Sequence, residues 1–326
     1  PMIEPKSTAA SVAPTSHPGD VYAARRARLM ARLDPDAAVL ICASPTRVRS
    51  NDTEYDYRPN SDLWYLTGFE EPEAVAVLVP DHPETRFALF LRERDPKMEI
   101  WDGERVGVER ACGLLGCDAA YPISKLADVL PALLHGREEI HVTMGRDEKQ
   151  DQAVIKAMGA ARRRVRRGRL HPTCIVMPDD ILHEMRLIKT PAEIEAMRLA
   201  CQVTAEGHVR GMRRTRPGMY EYQLQAEIEY HFKRSGALAP GYTSIVGGGA
   251  NACVLHYVTN RDELKDGDLV LVDAGAEVGY YTGDVTRTWP VNGQFTGYQR
   301  QIYDLVLNSQ MAAIREVRPG VTWGTM

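Results

Sequence analysis

The chain has 326 residues, 44% of them hydrophobic and 26% charged, which predicts a globular protein of about two domains. Its formal net charge is −4, and without a recognition motif this slight acidity argues against nucleic-acid binding. The sequence lacks a run of about 18 apolar residues, so it predicts no membrane-spanning helix. Six cysteines without a C-x-x-C pair exclude a zinc ribbon and a thioredoxin motif and favour reduced thiols in the cytoplasm.

The first half of the chain predicts a flexible tail followed by an α/β domain. Residues 1–20 are rich in Pro, Ser, Thr and Ala and form the predicted tail, and the first domain is expected over residues 21–179. Helical patterns cover residues 21–33 and 147–168, the second ending in a basic run at 162–169 that is typical of a solvated helix end or a subunit contact. Strands are predicted from the apolar runs at residues 37–43, 62–66, 74–80 and 86–91.

The second half predicts an α+β domain over residues 180–326. Residues 172–180 contain two prolines and no periodicity, which predicts a linker. A helix over 191–214 follows, with Thr190 as N-cap and Glu193 three residues later, the pattern of a capping box. Further elements are a helix at 220–234, strands at 244–247, 254–258, 269–273 and 281–289, and a last helix that begins near Gly297.

Two aspartates form the sharpest candidate site. A turn at Val278 and Gly279 would place Asp273 directly opposite Asp284 on adjacent strands. Carboxylates ~4.5–5.5 Å apart repel each other, and a bound cation removes that repulsion. Hard ions such as Mn²⁺ or Mg²⁺ prefer oxygen ligands, and two ions ~3.5–4 Å apart fit a shared carboxylate pair. The pattern also fits two ordinary turn aspartates, because a glycine lies close to each.

A histidine lies in the apolar run at residues 253–257, which predicts a strand. A histidine in such a run is usually a core residue whose hydrogen bonds are satisfied. Beside a metal pair, His256 becomes a candidate proton donor or oxyanion stabiliser.

Four stretches together resemble the aminopeptidase P family, the manganese Xaa-Pro aminopeptidases. The combination is specific, whereas any one of the motifs alone is weak. The stretches are residues 51–73 (NDTEYDYRPNSDLWYLTGFEEPE), 183–190 (HEMRLIKT), 241–257 (GYTSIVGGGANACVLHY) and 266–293 (DGDLVLVDAGAEVGYYTGDVTRTWPVNG).

The resemblance implies a creatinase-like α/β N-terminal domain and an α+β pita-bread catalytic domain, of which this chain holds the first part. It implies two Mn²⁺ ions, with other divalent ions as substitutes. The implied reaction removes the first residue from peptides with proline at the second position, by attack of a metal-bridging hydroxide. Asp273 and Asp284 match the family's first two metal-ligand positions, and His256 matches a histidine that contacts substrate and stabilises the reacting centre.

Three further residues are assigned through the same resemblance. Tyr242 matches a tyrosine beside the metal site. Asp52 and Trp101 resemble N-terminal-domain residues that reach the active site of a neighbouring subunit. The family expectation is therefore a homodimer or homotetramer acting on proline-containing peptides.

The resemblance also implies that part of the site lies elsewhere. The family completes its metal site with a histidine and two glutamates well beyond the GDVTR motif, whereas this sequence ends at Met326. These ligands are expected outside this chain, for example on a separate C-terminal fragment, and the chain alone is expected to be inactive. The alternatives are a prolidase, an inactive truncated chain and a non-catalytic peptide-binding module; residues 51–73 favour the aminopeptidase over prolidase.

Overall fold

A computed structural model of the chain describes residues 19–164 and 170–325. Most of the predicted tail and residues 165–169 of the basic run lie outside the described residues. The chain divides into two compact units, with the division between Lys189 and Thr190. The division thus falls after the predicted linker rather than within it. No helix in the described part combines the length and apolar composition that crossing a bilayer requires.

The first unit is built on a mixed six-stranded sheet. Its helices are α1 (Gly19–Met30), α2 (Ser61–Thr67), α3 (Glu99–Asp102), α4 (Val108–Leu115), α5 (Leu126–Leu133), α6 (Glu148–Arg164) and α7 (Asp179–Leu187). Its strands are β1 (Ala37–Cys42), β2 (Val48–Ser50), β3 (Thr53–Glu54), β4 (Val75–Leu78), β5 (Phe87–Leu91), β6 (Ala119–Pro122), β7 (Glu139–Val142) and β8 (Cys174–Val176). The strand order of the sheet is β6-β5-β4-β1-β7-β8, in which β1 runs antiparallel to β4 and parallel to β7. Strands β2 and β3 form a separate hairpin.

The central strands are apolar at consecutive positions because helices cover both faces of the sheet. Val39 and Ile41 of β1 pack in one core cluster, which includes residues of α1, α2, α4 and α7. Ala38 and Leu40 of the same strand pack in the other, with residues of α5 and α6. Neighbouring residues of a strand point to opposite faces, so a doubly covered strand must be apolar throughout. The α/β prediction for the first domain is confirmed.

The predicted strand over residues 62–66 is wrong, because these residues form helix α2. The Asn60 side chain accepts hydrogen bonds from the backbone N–H groups of Asp62 and Leu63, at 2.8 and 3.2 Å. Gly68, with φ of 71°, ends the helix in the left-handed region. The strand prediction relied on a short apolar run, which fits a buried helix equally well, and here the N-cap and the packing of Leu63 and Tyr65 in the core favour the helix.

The Asn60→Ala variant is expected to lower the free energy of unfolding by about 1 kcal/mol, because two N–H groups of α2 lose their acceptor. Urea denaturation of the variant and of Asn60→Asp, which keeps an acceptor oxygen, measures the effect. Equal losses in both variants would contradict a capping role.

The predicted linker is also wrong, because residues 172–180 join the first unit. Cys174–Val176 form the parallel edge strand β8 beside β7. Helix α7 follows at once, and its Leu182 and Met185 are buried in the first unit's core. The unit therefore extends through α7, which places the division after Lys189 rather than after residue 179.

The second unit is an α+β arrangement in which two of the helices pack on short antiparallel sheets. Its helices are α8 (Pro191–Arg214), α9 (Glu221–Arg234) and α10 (Gly297–Glu316). Its strands are β9 (Ala239–Pro240), β10 (Ile245–Gly248), β11 (Leu269–Ala274), β12 (Ala276–Val278), β13 (Tyr281–Thr282) and β14 (Val285–Pro290), in the sheet orders β10-β11-β14 and β13-β12-β9. The capping box of Thr190 and Glu193 is confirmed at the start of α8.

Helix α10 carries an apolar face that the described residues leave exposed. None of its residues is buried. Ile302, Leu305 and Val306 follow each other at helical spacing and retain 47%, 64% and 62% of their accessible surface. Ile314, farther along the helix, is 55% exposed. A helix with such a face normally packs against another element of its domain.

Candidate metal centre

The candidate site is carried by one bent β-hairpin. Strands β11 and β12 form its first arm, and β13 and β14 form its second. Gly279 and Tyr280 make the turn with φ of 54° and 64°, and Val278 pairs with Tyr281 across it. Two consecutive residues of positive φ are typical of a type I′ turn, whose twist suits a hairpin. The predicted turn at Val278 and Gly279 is therefore wrong by one residue.

The shifted turn changes the partners of the aspartates but not the face on which they lie. Asp273 pairs with Thr286 rather than with Asp284. Asp284 lies two residues before Thr286, and residues two apart on a strand share a face. Moving a hairpin turn by one residue moves the pairing by two, so the two carboxylates remain on one face as diagonal rather than direct neighbours.

A tyrosine hydroxyl joins the two carboxylates. Tyr242 Oη lies 2.5 Å from Oδ1 of Asp273 and 3.0 Å from Oδ1 of Asp284. Burial, together with these two hydrogen bonds and the two negative charges, raises the pKa of Tyr242 far above its ordinary value. The hydroxyl therefore keeps its proton at neutral pH and donates it to the carboxylate pair. Tyr242, Asp273 and Asp284 are the predicted site residues that the structure brings into contact.

Two glycines allow the hairpin to bend beside the aspartates and to approach α8. A Cβ atom on Gly275 would lie 2.0 Å from the carbonyl oxygen of Gly283. A Cβ atom on Gly283 would lie 2.6 Å from the carbonyl oxygen of Ala200 and 2.8 Å from Cα of Cys201, both in α8. Backbone therefore occupies the space of a side chain at both positions, which fixes the hairpin against the helix next to Asp284.

Helix α8 also holds the bend through one buried hydroxyl. Thr204 is fully buried, and its Oγ1 accepts the N–H of Ala276 at 2.9 Å. The same oxygen lies 2.8 Å from the carbonyl of Ala200 and 3.2 Å from that of Gly283. A single side chain thus bonds to both arms of the hairpin, and it does so beside Asp284.

Thr204→Val is expected to lower the free energy of unfolding by about 2 kcal/mol, because it keeps the side-chain shape but leaves the buried N–H of Ala276 without its acceptor. Urea denaturation measures the change, and Thr204→Ser, which retains the hydroxyl, is the matched control. A valine variant as stable as the parent protein would contradict this role of the hydroxyl.

The predicted strand at residues 254–258 is wrong. A 3₁₀ helix over Gly249–Cys253 precedes these residues, which form a turn that contains His256 and then continue without regular structure. Val254 and Leu255 are 54% and 89% exposed, so this apolar run is not a buried strand of the described structure. His256 is exposed rather than packed in the core.

A buried carboxylate organises the loop that carries His256. Glu221, at the first position of α9, is 0% exposed and accepts four hydrogen bonds. Its Oε1 binds the N–H of Gly248 at 2.8 Å and the Asn251 amide at 3.0 Å. Its Oε2 binds the Tyr257 hydroxyl at 2.8 Å and the N–H of Asp262 at 3.0 Å. No local pattern in the sequence marks this role, because an acidic residue in the first turn of a helix is common.

Asp52 and Trp101 lie in the first unit. Asp52 is exposed in the turn between β2 and β3. Trp101 lies on the short helix α3 and is 84% exposed. Their assignment to a neighbouring subunit's active site stays a prediction.

The residues present fit part of a metal site. Within the described ranges, Asp273 and Asp284 form no ion pair with a basic side chain, and the neutral Tyr242 hydroxyl that bonds to both leaves their negative charge uncompensated. Two such carboxylate oxygens suit a hard divalent cation. Across residues 19–164 and 170–325, no cluster of three or more His, Cys, Asp or Glu side chains forms a potential metal site. The hairpin thus supplies two ligands, fewer than a structural or catalytic ion requires.

Comparison with known proteins identifies the family. Residues 22–142 match the aminopeptidase P N-terminal domain, and residues 195–326 match metallopeptidase family M24. The Xaa-Pro aminopeptidase of Escherichia coli K12 is 46% identical over 299 residues, which cover 91% of this chain and 68% of that protein. The chain belongs to the aminopeptidase P family. Its fold is accordingly an aminopeptidase P N-terminal domain joined to a pita-bread domain.

Solved structures of aminopeptidase P enzymes support the same family membership. The Pseudomonas aeruginosa aminopeptidase PepP matches with a TM-score of 0.91 and 44% identity, over 94% of this chain and 70% of that one. A variant of E. coli aminopeptidase P in complex with substrate matches with a TM-score of 0.90 over the same shares. A zinc-substituted form of the E. coli enzyme in complex with product matches equally well. The family is one of metallopeptidases, which implies divalent metal ions.

Proposed function

We propose that this chain contributes the N-terminal domain and two metal ligands to a metallo-aminopeptidase that releases the first residue of peptides with proline at the second position. The observation that carries the proposal is the position of Asp273 and Asp284 on one face of the hairpin, where the Tyr242 hydroxyl bonds to both. Both domains of the family are matched in this chain, and its relatives include named Xaa-Pro aminopeptidases.

Asp273 and Asp284 are proposed to hold two Mn²⁺ ions together with a histidine and two glutamates from a segment outside this chain. Other divalent ions could occupy the same oxygen ligands. When bound, the ions lower the pKa of a water molecule and polarise the scissile carbonyl group. Tyr242 orients both carboxylates through its retained proton. The two glycines and Thr204 keep the ligand-bearing strands in place against α8.

His256 is proposed to donate a hydrogen bond to the substrate oxygen that gains negative charge during attack at the carbonyl carbon. Its exposure is compatible with contact to a bound peptide. The neighbouring Tyr257 is fixed by Glu221, which restricts the turn and so limits the positions of the imidazole. The assignment comes from the family resemblance and requires that the turn face the substrate.

Selectivity for proline is proposed to depend on ring shape and amide geometry. The nitrogen of an Xaa-Pro bond has no hydrogen, so a donor contact cannot identify it. The same bond populates cis and trans forms that interconvert slowly. One isomer is expected to fit the site, and a prolyl isomerase should accelerate turnover of substrates trapped in the other isomer.

Assembly is proposed to complete the site. Asp52 and Trp101 are assigned to a neighbouring subunit's active site in a dimer or tetramer. The exposed apolar face of α10 is a suitable surface for a C-terminal segment that supplies the remaining ligands. The six free thiols are compatible with the predicted cytoplasmic location, which stays a prediction.

Peptide hydrolysis by the protein with its C-terminal segment present tests the proposal. Mn²⁺-dependent release of the first residue from Xaa-Pro-Xaa peptides is the expected result. Cleavage restricted to Xaa-Pro dipeptides would indicate a prolidase instead. Peptide binding that persists after chelation of the metal, without cleavage, would indicate a binding module. The intact mass of the denatured sample shows whether the additional segment is present.

A further inference from the structure

The first unit contains two cysteines whose sulfur atoms touch. Cys112 lies in α4 and Cys117 lies just before β6, with Sγ atoms 2.8 Å apart. A disulfide bond measures ~2.05 Å, so bond formation requires the sulfurs to approach by less than about 1 Å. The two cysteines are not joined by a disulfide bond in the structure.

The end of α4 explains why these two side chains meet. Gly116 adopts φ of 68° and donates its N–H to the carbonyl of Cys112 at 2.9 Å. In this kind of helix end, the residue after the left-handed glycine packs on a side chain of the last helical turn. Cys117 and Cys112 occupy those two positions, where apolar residues usually meet.

The turn between the cysteines is held by neighbouring elements. Arg26 of α1 donates hydrogen bonds to the carbonyls of Gly116 and Leu66, at 3.3 and 2.9 Å. Asp118, directly after Cys117, accepts the N–H groups of Arg86 and Phe87, each at 2.8 Å. The two sulfurs are therefore kept in contact by the fold on both sides of the turn.

We propose that Cys112 and Cys117 are a reversible redox modification site that forms an intramolecular disulfide with a low-molecular-weight disulfide as oxidant. Cys112 is half-buried and Cys117 is 8% exposed, so Cys112 reacts first. Burial and the contact with Cys112 raise the pKa of Cys117, which suits a resolving residue rather than the initial nucleophile.

The exchange is balanced with oxidised glutathione as the oxidant. Cys112 loses its proton and attacks one glutathione sulfur, which breaks the glutathione S–S bond and releases one glutathione that takes up a proton. Cys117 then loses its proton and attacks the Cys112 sulfur, which releases the second glutathione. Two electrons pass from the cysteine sulfurs to the oxidant, so two S–H bonds are replaced by one S–S bond in the protein.

The test is treatment of the full chain with oxidised glutathione, alkylation of the remaining thiols and digestion with trypsin. Both cysteines fall in one peptide, residues 111–125, because the nearest cleavage sites follow Arg110 and Lys125. We expect this peptide to be lighter by two hydrogen atoms, to carry no alkyl group, and to recover two alkylation sites after reduction with dithiothreitol.

Two variants separate this site from nonspecific thiol oxidation. Cys117→Ser is expected to retain glutathione on Cys112, whereas Cys112→Ser is expected to leave Cys117 unmodified. Cys174→Ser, which removes an exposed thiol, is the matched control and should form the internal bond normally. The proposal is overturned if Cys174, Cys201 and Cys253 acquire glutathione while residues 111–125 stay fully reduced. The readout does not involve peptide hydrolysis, so it is independent of the proposed function.

Discussion

Asp273→Asn is expected to abolish hydrolysis of Xaa-Pro-Xaa peptides by the protein with its C-terminal segment present. The substitution removes one negative oxygen ligand and places an amide beside Tyr242, while the size of the side chain is retained. We expect kcat/KM to fall on the order of a thousand-fold, which corresponds to about 4 kcal/mol of transition-state stabilisation. Steady-state assays across a Mn²⁺ titration measure the loss and show whether excess metal restores activity.

The same chemical change at Asp266 provides a matched control, because this exposed residue precedes β11 and bonds to Asn292 on the surface. Asp266→Asn is expected to leave kcat/KM unchanged. Circular dichroism spectra and thermal unfolding midpoints should match between the two variants. A match would show that the loss of activity does not result from unfolding. Undiminished turnover in the Asp273 variant would remove this residue from the metal site.

Gly283→Ala is expected to destabilise the second unit by about 3 kcal/mol. The added methyl group meets backbone atoms of α8 at 2.6 and 2.8 Å, and neither a carbonyl nor a Cα atom of a helix can rotate away. Overpacking of this kind typically costs about 1–3 kcal/mol, and the rigid neighbours place this site at the upper end. Because Asp284 follows Gly283 directly, the separation of the two carboxylates should change as well.

Urea denaturation, with hydrogen exchange at the amides of β11 and β14, measures the stability of this unit separately from the first. Gly297→Ala is the control, since a Cβ atom there meets no atom within 4 Å and the residue begins a helix. Alanine at that position should be neutral or slightly stabilising. A Gly283 variant as stable as this control would show that α8 moves aside without cost.

The sequence predicts best those elements whose residue pattern is compatible with only one type of secondary structure. The buried strands β1, β4 and β5 are short apolar runs between turns, which a doubly covered sheet requires. Helix α8 has its capping box and a proline at its first position, and the structure begins it at that residue. In both cases local preference and tertiary packing agree.

The wrong predictions concern segments whose local structure is determined by groups far away in the sequence. In α2 the apolar Leu63 and Tyr65 pack in the core from a helix capped by Asn60. Residues 254–258 are kept out of a sheet by a loop whose donors converge on Glu221, more than 25 residues earlier in the chain. No local pattern encodes such a convergence.

The shared face of the two aspartates was predicted correctly despite an error in register, because side chains alternate along a strand. The turn includes Tyr280 at φ of 64°, a conformation that a bulky residue rarely adopts and that sequence therefore does not suggest. A turn displaced by one residue preserves the alternation, so the shared face of Asp273 and Asp284 was predictable although their partners were not. Tyr242 came from family resemblance alone, since it lies more than 30 residues from Asp273 along the chain.

The apolar face of α10 makes the stability of the second unit depend on solution composition. A polypeptide that covers Ile302, Leu305 and Val306 of the folded unit, and does not bind the unfolded chain, shifts the equilibrium towards the folded state by mass action. At a concentration 100 times its dissociation constant, such a cover adds about 2.7 kcal/mol to the free energy of unfolding. The unfolding midpoint of this unit therefore rises with the concentration of the covering chain, and thermal scans at graded concentrations give the affinity of the assembly directly.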